Sequence, residues 1–347
     1  MSKDFVPQAE QFNEIISIID NARNRALKAV NTELIQMYWE IGEYVSKKVK
    51  NGGWGKSIVT EFSAFLQKHY PGIKGFSAQN IWSMKQFYES YCDNEKLSPL
   101  VREISWANNL LIMTGCKTDE AREFYLRLCI ANRYSKRELQ RQMDSAYYER
   151  YMLSSQKLMP ESVPQDIRKS ILDTYVLEFL NLPESTSEKD IRKAILNNLK
   201  QFILEFGKDF TFIGEEYRIQ VGGDDFYIDL LFYNRALCCL VPVELKMGKF
   251  KPEHIGQINF YLEALDRDVK KPDENPSVGV ILCAGKNDTV VEYALSRSMS
   301  PTLVSNYTLC LPDRELLQNK LRELTDLLWE VKKQNKTGQQ AVGSAVH

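Results

Sequence analysis

The chain has 347 residues, of which 44% are hydrophobic and 26% are charged, and its net charge is −1. This is the composition of an ordinary globular protein with room for two domains, and it excludes collagen-like, low-complexity and membrane-spanning classes. The near-zero charge gives no strong signal for nucleic acid. Residues 20–150 alone carry a net charge of roughly +5, which is a mild indication of a basic N-terminal module.

Cysteine and histidine usage narrows the chemistry further. The seven cysteines never form a C-x-x-C pair, and there are only three histidines. This pattern is typical of a reducing compartment without structural zinc, and it gives little support to histidine-based catalysis. The N-terminus lacks a signal-peptide pattern and no apolar run reaches membrane-spanning length. We therefore expect a cytoplasmic protein that has no membrane partner.

The first part of the chain has helical periodicity. Apolar residues recur every three or four positions from Ile15 to Val45, and amphipathic segments of the same period continue to Tyr151. Ser77 is predicted to cap a helix that begins with Ala78. The pattern predicts an all-α domain over residues 13–152.

The second part of the chain changes period. A polar, proline-containing stretch over residues 153–165 is the best linker candidate, and residues 167–182 are predicted to form one or two helices. Ser187 and Asp190 form a predicted capping box. Three consecutive strands follow, then a helix, a fourth strand, another helix and a fifth strand. This order predicts an αβββαβ domain of the α/β type with a central mixed sheet over residues 166–330, followed by a disordered tail over 331–347.

Three charged residues interrupt the apolar strands of the segment Tyr227–Lys246. Side chains alternate faces along a strand, so Phe226, Ile228, Leu230 and Phe232 are predicted to share one face of the second strand. Asp229 would then face the other way. If the second and third strands are neighbours, Asp229 lies beside Glu244 and Lys246 on one side of the sheet. A buried charge is costly unless it is paired or holds a metal ion.

Two carboxylates with one ammonium leave a surplus negative charge, which a divalent cation compensates. Mg²⁺ prefers oxygen ligands, and the backbone carbonyl of Leu245 can supply one beside Asp229 and Glu244. Lys246 is spaced to orient or deprotonate a water molecule, or to stabilise an attacked phosphate. Metal-assisted hydrolysis of a phosphodiester is the reaction that this set indicates.

Other interpretations of the same residues stay open. An exposed edge-strand ion pair explains Glu244 and Lys246 without chemistry. Gln257 and Tyr261 are four residues apart on the next helix and so share one face. They either support the metal site or have no role in it, with Tyr261 packed in the core and Gln257 in solvent. Glu205 ends the helix before the sheet, either as an outer carboxylate of the site or in solvent. A paired-carboxylate glycosidase fits less well, because that chemistry does not call for a lysine in the site.

The strings "FYIDLLFY" and "VELKMGKFKPEHIGQINFYL" together resemble the YhcG-like family of the PD-(D/E)XK nuclease superfamily. The N-terminal strings "LIQMYWEIGEYV" and "GIKGFSAQNIWSMKQFY" resemble the helical domain of the same family, and the resemblance covers about Arg23 to Leu324. It implies a restriction-endonuclease-like fold for the second domain and a Mg²⁺-dependent DNA endonuclease activity in which Mn²⁺ can substitute. The alternative is a catalytically silent DNA-binding or partner-binding protein with the same fold.

The resemblance also implies roles for individual residues. Asp229, Glu244 and Lys246 match the catalytic set, Gln257 and Tyr261 match the Q-x-x-x-Y arrangement, and Glu205 matches a helix glutamate that assists the metal. Residues 76–91 resemble a helix-turn-helix-like element, which makes four polar residues candidates for DNA contact: Lys74, Gln79, Asn80 and Lys85. A homodimer is a further expectation, since many nucleases of the superfamily cut both strands as dimers.

Overall fold

The computed structural model describes residues 5–155, 172–183, 186–207, 209–296, 298 and 300–323. Contacts between residues divide the chain after Met143 into an N-terminal unit and a C-terminal unit. Most of the predicted linker over residues 153–165, and all of the predicted tail over 331–347, lie outside the described residues. Among the residues that are described, no helix combines the length and the apolar character needed to cross a membrane.

The described part of the N-terminal unit contains helices and no strands, which confirms the prediction of an all-α domain. Its helices are α1 (Phe5–Lys50), α2 (Lys56–His69), α3 (Ala78–Tyr91), α4 (Leu97–Leu100), α5 (Trp106–Gly115), α6 (Asp119–Asn132) and α7 (Lys136–Asp144), with a 3₁₀ turn at Val101–Glu103. The last residue of α7 lies just past the division between the units.

Helix α3 packs closely against the C-terminal half of α1. A Cβ atom at Gly42 would lie 2.1 Å from the carbonyl oxygen of Met84, so only glycine permits this approach. Ser77 accepts a hydrogen bond from the backbone N–H of Asn80 and thereby confirms the predicted cap of α3. Buried Ile81 and Phe87 then fix the helix to the core of the unit.

The C-terminal unit is built on one mixed sheet, as predicted, but the sheet has six strands instead of the predicted five. Its helices are α8 (Tyr147–Ser155), α9 (Glu188–Asn197), α10 (Leu199–Phe206), α11 (His254–Asp268) and α12 (Asp288–Leu295), and residues 314–323 are also helical. Its strands are β1 (Thr174–Val176), β2 (Phe210–Val221), β3 (Asp224–Asn234), β4 (Cys239–Lys249), β5 (Gly279–Gly285) and β6 (Thr302–Thr308). The strand order is β1-β6-β5-β4-β3-β2. Pairing is antiparallel from β2 to β4 and parallel from β4 to β1.

Each face of the sheet carries its own apolar core. Helices α9 and α10 contribute to one core and α11 contributes to the other. Strand β4 alternates between them as expected, since Val243 and Leu245 belong to the first core. Glu244 and Lys246 therefore point to the α11 side.

Strand β3 does not keep one regular alternation. Leu230 and Phe232 pack in the core of α9 and α10, whereas Ile228 packs in the other core with Leu231. Phe226 also packs against the core of Ile228, so the prediction that Phe226 and Ile228 share a face with Leu230 and Phe232 is wrong. The change of face occurs at Asp229, where β3 also stops pairing with β4.

The segment predicted as one or two helices before Ser187 holds a strand instead. Described residues 172–183 form the short strand β1 and a 3₁₀ turn at Glu178–Leu180. Tyr175 and Val176 are fully buried because β1 adds to the edge of the sheet beside β6. The other part of that prediction, residues 167–171, lies outside the described residues.

Candidate active site

The candidate site lies where β3 and β4 separate. Their pairing runs from Asn234 opposite Cys239 to Leu230 opposite Val243 and ends there, while β4 continues to Lys249 beside β5. Asp229 directly precedes Leu230 in β3 and is therefore the first residue of β3 beyond this pairing. The opening therefore has a carboxylate on the β3 side and the part of β4 that no longer pairs with β3 on the other side.

Asp229 is fixed by two bonds. Its Oδ2 atom accepts a hydrogen bond of 3.0 Å from the backbone N–H of Leu245, which spans the gap between the two strands. Its Oδ1 atom accepts a bond of 2.7 Å from the guanidinium of Arg192 on α9. The carboxylate is 15% exposed, so it is held in place at the edge of solvent.

Glu244 is the more deeply buried carboxylate, at 3% exposure. Its Oε1 atom accepts hydrogen bonds of 2.8 Å from both Lys246 Nζ and Gln257 Nε2. Its Oε2 atom is buried and has no hydrogen-bond partner among the described residues. A buried carboxylate oxygen without a partner is expensive, and such an atom calls for an explanation.

The pKa values of Glu244 and Lys246 also show that Glu244 is unfavourably placed as a charged group. Burial, together with the negative charge of Asp229, raises the pKa of Glu244 to about 7, although the bond from Lys246 acts in the opposite direction. Burial lowers the pKa of Lys246, but the hydrogen bond and charge of Glu244 outweigh it, so that pKa lies above its usual value. Two negative groups therefore interact across the opening.

Helix α11 supports Glu244 through the pair Gln257 and Tyr261. The amide of Gln257 also donates to the Tyr261 hydroxyl at 3.0 Å, and that hydroxyl donates to the backbone oxygen of Tyr227 at 2.9 Å. A chain of hydrogen bonds thus runs from the end of β3 through α11 to Glu244. The structure brings together five of the predicted site residues: Asp229, Glu244, Lys246, Gln257 and Tyr261.

The donor set fits a hard divalent cation. Asp229 and the partnerless oxygen of Glu244 offer carboxylate oxygens to such an ion, and a cation would relieve the repulsion from Asp229 that helps to raise the pKa of Glu244. The N–H and C=O of one residue in a strand point to the same neighbouring strand, so the carbonyl of Leu245 faces the side of Asp229. Among the described residues no cluster of three His, Cys, Asp or Glu side chains forms a metal site. Any ion here would depend on two carboxylates, backbone, water and substrate.

Comparison with known proteins follows the same division of the chain. The model of the YhcG PDDEXK nuclease domain matches residues 168–322, and that of the DUF1016 N-terminal domain matches residues 14–150. The Escherichia coli (strain K12) protein described as "Putative nuclease YhcG" is 31% identical over an alignment of 345 positions, which covers 88% of this chain and 92% of that protein. The chain belongs to the YhcG family.

One solved structure is also similar to this YhcG-family chain. It is a repair endonuclease from Pyrococcus abyssi, 19% identical, and the match covers 37% of this chain and 49% of that one. Its TM-score of 0.27 is too low to carry an argument. The nuclease fold rests instead on the mixed sheet described above and on the match of the YhcG nuclease domain.

Glu205, predicted as an outer metal ligand, has different partners in the YhcG-family fold. Its carboxylate accepts 2.7 and 2.8 Å hydrogen bonds from Arg150 and from the backbone N–H of Val176 in β1. Helix α10, which carries Glu205, packs on the face of the sheet opposite to Glu244. The structure therefore does not bring Glu205 to the opening between β3 and β4.

Two residues of α9 border the site and were not singled out by sequence reasoning. Glu188 accepts a 3.0 Å hydrogen bond from the backbone N–H of Met247, and its charge raises the pKa of Glu244 further. Arg192, one helical turn later, bridges Asp229 and Glu216. Their spacing of four residues places both on one face of α9. Only the packing of α9 against β4 shows that this face meets the site.

The four predicted DNA contacts differ in availability. Lys74 and Gln79 are exposed. Asn80 is used within the unit, since it accepts a bond from Trp106 Nε1 and donates to the backbone oxygen of Gly75. Lys85 pairs with Glu89 at 2.6 Å. Of the four, Lys74 and Gln79 are the ones whose side chains are free to meet a ligand.

Proposed function

We propose that this protein is a Mg²⁺-dependent nuclease that hydrolyses phosphodiester bonds of DNA. The observation that carries the proposal is the buried Oε2 atom of Glu244, which has no partner among the described residues and belongs to a carboxylate that interacts with Asp229. Burying a carboxylate oxygen without a partner costs free energy, and a bound cation would offset that cost by coordinating the oxygen.

The metal would be held by Asp229 and Glu244, with the Leu245 carbonyl as a further ligand. When bound, Mg²⁺ supplies positive charge to the phosphate under attack and to the hydrolytic water. The hydrogen bond from the backbone N–H of Leu245 to Asp229 supports this role, because it restrains the carboxylate between the two strands. Glu244 is held in a single orientation by Gln257, which Tyr261 in turn ties to β3.

Lys246 would act on the water and the phosphate. Its ammonium lies 2.8 Å from Glu244 Oε1 and its side chain is 16% exposed, which supports this role because the group is close to the carboxylate and is not sealed from solvent. A cation at this position orients the attacking water and stabilises negative charge that develops on the phosphate. Mn²⁺ should support the same reaction, because the ligands are oxygens in an adaptable set.

A second candidate function rests on one specific observation. Both carboxylates already have cationic partners in this chain, because Arg192 bonds to Asp229 and Lys246 bonds to Glu244. A protein that had given up catalysis would gain stability from such pairs. The second candidate is therefore a DNA-binding or partner-binding protein that keeps the nuclease fold without the reaction.

Labelled substrates separate the two candidates. The panel comprises duplex, single-stranded, branched and modified DNA and RNA, each with Mg²⁺, Mn²⁺ or a chelator. Wild-type protein should cleave at least one DNA substrate in a metal-dependent manner. Asp229→Asn and Lys246→Ala should each slow cleavage by about a hundredfold or more. Asp225→Asn and Lys249→Ala change matched residues of the same strands outside the site and should cleave like wild type.

The possible failures are also informative. Undiminished cleavage by both Asp229→Asn and Lys246→Ala would contradict the assigned site. Binding of DNA by wild type without cleavage on any substrate would favour the silent protein. Cleavage of RNA alone would retain the chemistry and reject the proposed substrate.

A further inference from the structure

Helix α1 is long, and its N-terminal part is exposed to solvent. Its 46 residues extend over about 69 Å at 1.5 Å per residue. The first buried side chain described in it is Ile35, and every side chain described between residues 12 and 30 is exposed. About 28 Å of helix therefore extends without a core of its own.

This free segment is amphipathic although it is exposed all round. One stripe repeats at spacings of three and four residues: Phe12, Ile15, Ile19, Ala22, Ala26 and Ala29. Phe12, Ile15 and Ile19 are 59%, 54% and 48% exposed. The opposite side of the helix carries polar groups, among them Ser17, Asn21 and Lys28. An alternating spacing of three and four is the pattern of a two-helix coiled-coil seam.

The order of residue sizes along the stripe indicates which partner fits. The three large side chains occupy its first half, and three alanines occupy its second half. An identical helix running in the opposite direction sets large against small throughout: Phe12 faces Ala29, Ile15 faces Ala26, and Ile19 faces Ala22. A parallel copy would set alanine against alanine and leave gaps at that end, and gaps cost packing energy. The stripe is therefore complementary to itself about a two-fold axis.

We propose that residues 12–30 of α1 form an antiparallel coiled coil with the same segment of a second copy of this chain. Ile16, Ile18 and Val30 flank the seam and are also exposed, at 54% or more. With them, each copy offers on the order of 700 Å² of apolar side-chain surface, close to the roughly 800 Å² per partner of a stable interface. Association also explains the helix itself, because an isolated segment of this length is only marginally helical in water.

The test compares two single substitutions. Ile15→Glu puts a carboxylate into the seam, and Ser17→Glu puts the same group on the polar side two residues later. Analytical ultracentrifugation of the full chain should give twice the 40.2 kDa mass of one chain for wild type and for Ser17→Glu. Ile15→Glu should weaken the dimer by about a hundredfold or more, because each copy loses a buried isoleucine and buries a charge. Circular dichroism should show that both variants stay folded.

A third variant tests the antiparallel register. Adding Ala26→Lys to Ile15→Glu sets each new carboxylate against the new ammonium of the other copy, and dimerisation should recover at least tenfold. In a parallel pair the same changes would put like charges together. A monomeric wild type, an Ile15→Glu dimer as tight as wild type, equal loss in Ser17→Glu, or no recovery in the double variant would each overturn the proposal.

Discussion

The C-terminal unit contains two deeply buried glutamates, Glu205 and Glu244, which differ in their hydrogen-bond and charge partners. Glu205 is 1% exposed and Glu244 is 3% exposed. Glu205 meets the guanidinium of Arg150, which itself donates to Ser145 and Thr174, so this charge is surrounded by partners. Glu244 has donors on one oxygen only, while the charge of Asp229 acts against it.

The difference separates a structural carboxylate from a functional one. A buried ion pair whose members all have partners contributes to one defined arrangement of the core, and nothing remains for a ligand to do there. A buried carboxylate that lacks a hydrogen-bond partner on one oxygen destabilises the folded protein, and a ligand that binds this oxygen removes the destabilisation. In the sequence alone the two residues cannot be distinguished, because each is an acidic residue within an apolar segment. Their partners distinguish them.

The largest effect on stability is expected at the satisfied site. Glu205→Ala leaves Arg150 buried without its counter-charge, and we expect the free energy of unfolding to fall by about 3–5 kcal/mol. Urea denaturation measures it. Glu215→Ala, at an exposed position of β2, is the control and should change stability by less than about 0.5 kcal/mol.

The same variant tests whether Glu205 takes part in metal binding. Mn²⁺ affinity of the folded Glu205→Ala protein, measured by calorimetry below its unfolding range, should equal that of wild type. A loss of Mn²⁺ affinity without a loss of stability would restore the prediction that Glu205 is an outer metal ligand.

Sequence reasoning succeeds where the determining interactions are local. The Ser77 cap, the capping box of Ser187 with Asp190, and the strands that carry Asp229 and Glu244 all follow from neighbouring residues and periodicity. In the predicted capping box, Ser187 accepts a hydrogen bond from the N–H of Asp190 as expected. The fold class follows from the order of these elements.

Sequence reasoning fails where an interaction joins distant segments. Strand β1 has three residues, and its strand character depends on the edge of β6. Nothing near Arg192 shows that it reaches Asp229, 37 positions later. The change of face at Asp229 likewise depends on β3 leaving β4, which periodicity does not encode.

An intermediate effect is expected from Arg192, the cation that partners the candidate metal ligand. Arg192→Ala removes a positive charge 2.7 Å from Asp229 that a metal must share or displace. We expect Mn²⁺ to bind about tenfold more tightly, which corresponds to roughly 1.4 kcal/mol. Isothermal titration calorimetry without DNA measures this directly. Arg218→Ala, which breaks the exposed ion pair between Arg218 of β2 and Asp225 of β3, is the matched control.

The opposite outcome for Arg192 would also be instructive. Weaker Mn²⁺ binding in Arg192→Ala than in Arg218→Ala would mean that the guanidinium positions Asp229 for the metal. The charge competition described above would then be the minor effect.

The smallest change in stability is expected at the incompletely satisfied site itself. Glu244→Gln keeps the shape of the side chain and an oxygen to accept from Lys246, and it removes the repulsion from Asp229. Its free energy of unfolding in chelator should stay within about 1 kcal/mol of wild type at pH 5, where the raised pKa keeps the Glu244 carboxyl of the folded protein largely protonated, in contrast to Glu205→Ala. Metal binding should be lost, because a neutral amide replaces a charged ligand.

The pH dependence of the same variant follows from the raised pKa of Glu244, about 7 against an ordinary 4.5. A carboxyl group with a raised pKa in the folded state costs stability as pH rises from the unfolded to the folded pKa. Wild type should therefore lose stability relative to Glu244→Gln between about pH 4.5 and 7, and the variant should be the more stable protein at pH 8. Urea titrations at pH 5 and pH 8 in chelator measure the difference. If Glu244→Gln were less stable than wild type at pH 8, Glu244 would be a satisfied structural acid like Glu205, and the contrast between the two sites would fail.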